Sequence, residues 1–195
     1  MRRGWMMAGL CLALAAPAAL IGQDMAGQTA AAPATIAPAD SLNGLMGLME
    51  MEIVSAAEAM PADKYDFAPT NGDFKGVRTF GAQVKHLAEA NYMFFKGWGA
   101  SGEVDAKTIE ALKTKDDIVK ALKDSYTFAH AAVSTITPQN AWDSVPGFPP
   151  QLKETKASAA AFACAHSMDH YGQMVEYLRM NGIIPPASRP QPKSR

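Results

Sequence analysis

Cysteine is nearly absent: the 195 residues hold only Cys11 and Cys164. A disulfide-stapled scaffold is excluded on that count, so stability must come from an apolar core. A charge of one sign is also missing. The formal net charge is −1, from 18 basic and 19 acidic residues. No basic field of the kind that binds nucleic acid exists, and the acidic excess is too small to call for a cationic partner. Nothing alternates apolar and polar with period two over a useful length, which leaves no strand signal. No internal repeat recurs at a fixed period.

A long hydrophobic run is present, but only at the N-terminus. Trp5 to Ile21 carries no charge, follows Arg2 and Arg3, and gives way at Gln23-Asp24. This is the layout of a secretory leader over residues 1–22, cleaved near Gly22 or, as the alternative site, after Ala18. An uncleaved anchor is the competing reading; the run is short for a bilayer span and holds Pro17. Cys11 is not a lipoprotein cysteine, because Leu10 precedes it and apolar sequence follows. Removing the leader takes Arg2, Arg3 and Cys11, moves the net charge from −1 to −3, and leaves Cys164 alone. The expected destination is the periplasm or the exterior, with no stable membrane span after cleavage. Residues 23–38, rich in Ala, Pro, Thr and Gln, read as a disordered linker.

The full chain is 48% apolar, ample for a core. Asp40 or Ser41 can cap a first helix whose stripe is Leu42, Leu45, Met46, Met49, Ile53, Ala57 and Met60. Gly44 and Gly47 weaken it, and Pro61 stops it. Met46, Met49, Met51 and Met60 read as gap-filling core residues rather than soft metal ligands. Tyr65 and Phe67 pin the loop that follows. A second helix starts at Thr79, with Phe80, Val84, Leu87, Asn91, Phe94 and Trp98 along its buried side and His86 beside that stripe. Gly97 and Gly99 end it. A short turn is expected at 108–112. Thr114 then opens a third helix through Ile118, Leu122, Tyr126, Ala129, Val133 and Ile136, closed by Pro138. The long connection 137–154, around Trp142 and Phe148, is a covering strap or a lid. A fourth helix runs from Thr155 to Asn181 and ends at Gly182 and Pro185-Pro186, with Ile183 and Ile184 folding back on its last turn. The prediction is all-α: one four-helix bundle over residues 39–187, then a disordered tail at 188–195.

The chemistry-bearing stretch is His166-Ser167-Met168-Asp169-His170. Residues i and i+4 of a helix share a face one turn apart, so both imidazoles can grip one ion. By spacing alone, two solvent-edge histidines explain the pair as well. A metalloprotease helix is excluded, since Ser167 stands where its Glu general base would be. Bundles build metal sites from facing helices, and His86 is the natural third ligand. Weaker candidates surround the triad. His130 is a fourth ligand, a proton relay or a partly buried surface histidine. Asp169 is a second-layer carboxylate or a solvated one. Gln173 can hydrogen-bond a bound water, and Glu89 is the nearest general base in sequence. Cys164 reads as an inert buried thiol, and Trp98, Trp142 and Phe148 as filling core and loop gaps.

Several segments carry a resemblance: Arg78-Thr79-Phe80-Gly81, Val84-Lys85-His86-Leu87-Ala88-Glu89-Ala90, the His166 to Gln173 stretch and the closing Tyr177 to Pro186. Together with Pro61 to Pro69, they resemble the DinB/YfiT-like family over roughly 41–189. The resemblance implies a four-helix bundle in which His86, His166 and His170 bind a divalent metal. It also implies thiol transfer (bacillithiol or mycothiol), isomerisation or hydrolysis as possible reactions, and allows a homodimer. The leader departs from the family pattern and argues against cytosolic thiol cofactors. The sequence-level expectation is an exported metal-dependent enzyme, hydrolase or transferase in type, acting on a small molecule and using Zn, Ni, Fe or Mn. The alternatives are a non-catalytic bundle that binds metal or a small ligand, and a metal-free structural bundle.

Overall fold

The computed structural model describes residues 35–147 and 151–190. The leader at 1–22, most of the linker, Phe148 and the last five residues of the tail lie outside them. Five helices are present: α1 Pro38–Ala59, α2 Phe80–Phe94, α3 Ala106–Glu110, α4 Lys115–Val133 and α5 Lys156–Met180. Four are long. Single 3₁₀ turns sit at Ala62–Lys64 and Pro186–Ser188. Among the described residues no helix is long and apolar enough to cross a membrane.

Helix starts follow local chemistry. The Thr79 hydroxyl accepts from Ala82 N–H, and the Thr114 hydroxyl from Asp117 N–H. Thr155 and Ser158 form a reciprocal capping box at the head of α5. α1 departs from expectation. It begins at Pro38, preceded by Ala37, which makes no side-chain cap, and not at Asp40 or Ser41. Proline at the first helical position has its φ preset and lacks an N–H that would go unpaired there, so the helix gains most of a turn. At the far end Gly182 adopts φ +72°, and Gly182 and Ile183 N–H groups close on the Arg179 and Leu178 carbonyls. Ile183 packs against the core, while Ile184 is exposed.

α1 packs against α4 and α5, and α2 against the same two helices. Consecutive long helices α1 and α2 therefore stand diagonally, and the 60–79 connection crosses the bundle end. Tyr65 anchors that connection. Its hydroxyl donates to the Ala57 carbonyl at 2.7 Å, and its own carbonyl accepts from Gly81 N–H at 2.7 Å. A Cβ on Gly81 would lie 3.0 Å from the Tyr65 ring, a tight contact that the absence of a side chain avoids.

Met46, Ile53, Met60, Phe80, Val84, Leu122, Tyr126, Met174 and Leu178 are fully enclosed between the helices. The α1 stripe needs correction. Leu45 and Met51, read as core-facing, are exposed. Successive helix residues rotate about 100°, and Met46, Met49, Ile53 and Ala57 set the buried face. Positions 45 and 51 fall off it. Trp142 does not fill a gap either: it is 75% exposed.

The absence of strands is the second correction. β1 Ser144–Pro146 and β2 Lys153–Thr155 pair antiparallel, with Val145 opposite Glu154. Three residues are too few to show an alternation, so this pair comes from the closing geometry of the connection and not from a sequence pattern. The connection is tied to the first turn of α5, where Lys156 and Ala157 N–H groups donate to Asp143 and Ala141 carbonyls. His166 lies ten residues further on, about 15 Å along the helix axis. β1 and β2 are thus tied to the bundle end at the head of α5, about three helix turns from His166.

Candidate metal centre

α2 and α5 run in opposite directions along their shared interface. Tyr177 reaches the Arg78 carbonyl, Gln83 lies against His170 and Gln173, and Phe94 contacts Phe162 and His166. That pairing brings His86 between His166 and His170. One ring nitrogen from each lies within 4.8 Å of the others. His86 Nε2 and His166 Nε2 are 3.2 Å apart. His170 is buried, and the other two are half-buried.

Around the triad, His170 Nδ1 is 2.5 Å from the Gln83 amide oxygen. Gln83 donates through Nε2 to Gln173 Oε1 at 2.7 Å, and Gln173 donates to Asp169 Oδ2 at 3.1 Å. His166 differs: its Nδ1 is buried and has no hydrogen-bond partner among the described residues. Phe94 meets the His166 ring edge-on at 5.3 Å between centroids.

The donor set fits a divalent transition metal. Tetrahedral coordination with Zn–N bonds of about 2.0–2.1 Å separates ligand nitrogens by about 3.3–3.4 Å. The 3.2 Å between His86 and His166 is already close to this. Three neutral nitrogen donors suit Zn, Ni and Fe, and the sulfur of Cys164 is not among them.

The DinB superfamily profile matches residues 47–174, which contain all three histidines. The chain belongs to the DinB superfamily. The same fold appears in solved structures of low identity. A DinB-like protein of Bacillus cereus superposes with a TM-score of 0.63 at 16% identity, covering 75% of this chain and 95% of its own. A DinB-like protein of Bacillus subtilis, YjoA, gives 0.56 at 18% identity, covering 73% and 92%. Bacillus subtilis YfiT, described as a probable metal-dependent hydrolase with an unusual four-helix bundle topology, gives 0.56 at 20% identity, covering 74% and 88%. No curated protein matches the sequence.

In this DinB protein all three rings are held neutral. Burial lowers the His86 pKa to about 4, with the Arg78, His170 and His166 charges adding to the effect. Burial likewise brings His170 to about 4; the His166 and Arg78 charges assist and Asp169 opposes. His166 is lowered by burial first, against the pull of Asp169. Neutral imidazole is the form that binds metal.

The other sequence candidates are distributed differently. His130 joins α4 to α1, with Nδ1 2.8 Å from Asn43 Oδ1 and Nε2 3.2 Å from Glu50 Oε2. It is thus engaged away from the α2–α5 interface and is not the fourth ligand. Glu89 lines a cleft of about 450 Å³ with Tyr92, Met93, Lys96 and the 103–106 segment, and none of the three histidines borders it. Burial and the Glu110 charge raise its pKa. The Cys164 thiol is buried, and burial pushes its pKa up to about 11, so it stays protonated and inert. Asp169 and Gln173 do meet the site, but through Gln83. Gln83 itself was missed as a site residue. It is a buried amide one turn before His86, and nothing in its sequence position signalled that burial.

Proposed function

We propose that this chain is a metal-dependent enzyme of hydrolase type, with His86, His166 and His170 as the ligands. The convergence of three ring nitrogens from two helices within 4.8 Å carries the reading. Its context supports it: among the described residues no further His, Cys, Asp or Glu joins the three nitrogens, and three protein ligands are the set of a centre with an open coordination position. A divalent cation bound there supplies Lewis acidity and lowers the pKa of a coordinated water toward neutrality. The chain's own residues supply the rest. Gln83 orients His170, and Phe94, itself packed on Phe162, meets the His166 ring edge-on. Half-buried His86 and His166 leave the centre accessible to a small-molecule substrate. YfiT, a fold neighbour, is described as a probable metal-dependent hydrolase, which is consistent with this class of reaction. The leader-like N-terminus supports export, to the periplasm or outside the cell, as part of this proposal.

A non-catalytic metal-binding bundle is the second reading. One observation favours it: among the described residues no carboxylate hydrogen-bonds directly to any of the three rings. Metal analysis and turnover separate the two. Purified protein reconstituted separately with Zn, Ni, Fe and Mn should retain about one equivalent of at least one metal and hydrolyse members of an ester, amide and phosphoester panel. His86→Ala should lose both properties. Retention below about 0.1 equivalent of every metal at neutral pH rejects the centre. Stoichiometric metal with no turnover across the panel favours the binding module.

A further inference from the structure

The hydrogen bonds around His170 run in one direction, and the group that sets that direction lies at the surface. Asp169 is exposed, and as a carboxylate it only accepts. Gln173 therefore turns its amide nitrogen to Asp169, at 3.1 Å. Its carbonyl oxygen then faces α2, where Gln83 Nε2 donates to it at 2.7 Å. With its nitrogen committed there, Gln83 presents its oxygen to His170 Nδ1 at 2.5 Å. A carbonyl cannot donate, so the proton lies on Nδ1, and the ring's lone pair is left on Nε2. Reversing any one amide would set donor against donor or acceptor against acceptor. Gln83 is 2% exposed, so water cannot repair such a mismatch at that link.

The geometry points to Asp169, Gln173 and Gln83 as a positioning relay that locks His170 in its Nδ1–H tautomer and aims a preset Nε2 lone pair at the triad. The three ligands are then unequal. His170 is the fixed arm, whereas the Nδ1 of His166 has no partner among the described residues; that ring meets Phe94 edge-on and the His86 Nε2 at 3.2 Å. The relay's purpose rests on the proposed metal centre, but its tautomer claim concerns the metal-free protein. It also gives Gln173 a role different from contact with a bound water.

Long-range ¹⁵N–¹H spectra of the metal-free protein at pH 7.5, followed by Zn²⁺ titration, test it. His170 should appear as the Nδ1–H tautomer. Gln83→Leu should release that preference and weaken Zn²⁺ binding about 10- to 100-fold, while Gln83→Glu, which keeps the acceptor for Nδ1–H but loses the donor to Gln173, should keep the tautomer only with the Gln173 amide turned to donate to it. Asp169→Ala, a surface change that removes the acceptor and leaves the core intact, should give a tautomer mixture and about tenfold weaker binding. An Nε2–H tautomer in the wild type overturns the relay. So does Asp169→Ala with both tautomer and Zn²⁺ affinity unchanged. A wild-type Nδ1–H signal with no binding of Zn²⁺, Ni²⁺, Fe²⁺ or Mn²⁺ upholds the relay and sinks the metal centre instead.

Discussion

Acidifying the metal-free protein from pH 7 should destabilise it through the triad before most carboxylates titrate. In the unfolded chain a histidine binds its proton near pH 6.5. In the folded chain His170 does so only at about 4, chiefly because burial penalises the imidazolium. Between these values the unfolded state holds more protons, so stability rises with pH across the window. The contribution is complete above about pH 6.5 and lost as pH falls toward 4. At about 1.4 kcal/mol per pH unit, the interval corresponds to about 3 kcal/mol for His170, which is only 6% exposed. His86 is more exposed, and solvent screening cuts its share. For a domain of this size, about 3 kcal/mol is a Tm change of about 6–12 °C. Calorimetry in EDTA between pH 8 and 4.5, comparing wild type with His170→Gln, isolates the effect, since the remaining titrations are common to both. The wild-type advantage should shrink progressively below pH 6.5. Parallel curves through that window would refute the reasoning.

Three further outcomes test the scaffold. Gly81→Ala should cost about 1–3 kcal/mol by denaturant unfolding, because the new Cβ meets the Tyr65 ring at 3.0 Å and its carbonyl oxygen at 3.1 Å. Thr155→Ala removes half the capping box of α5 and should cost about 1 kcal/mol on the same assay, with Zn²⁺ affinity unchanged. Leu122→Ala opens a cavity at a fully enclosed position and should cost about 2–5 kcal/mol; a loss below 1 kcal/mol would mean the four long helices are not packed as described.

Much of the fold was legible because its cues are local. Thr79, Thr114 and Thr155 each sit where a hydroxyl can take up a free helix N–H, and Gly182 sits where a left-handed residue must end α5. The β1–β2 pair was not legible, since three-residue strands carry no period. Nor was the exposure of Leu45: an apolar residue one position from a stripe differs from it by a rotation that only a packed neighbour decides. Among site residues, the i, i+4 pair announced itself, whereas Gln83 looked like any helix glutamine until His170 was placed against it.

The sequence by itself determined that His166 and His170 share a helix face, because backbone hydrogen bonding sets 3.6 residues per turn whatever surrounds the helix. It also determined the four long helical segments and, with Cys164 the one cysteine among the described residues, a core there without an internal disulfide. Only the tertiary structure decided which helix faces that pair. α2 lies antiparallel to α5, so His86 and Gln83 arrive together, while His130 turns to α1 and Glu89 to a separate cleft. Helical periodicity relates side chains to their own axis; the rotation and depth of one axis against another are set by how Met46, Phe80, Leu122 and Met174 fill the space between them.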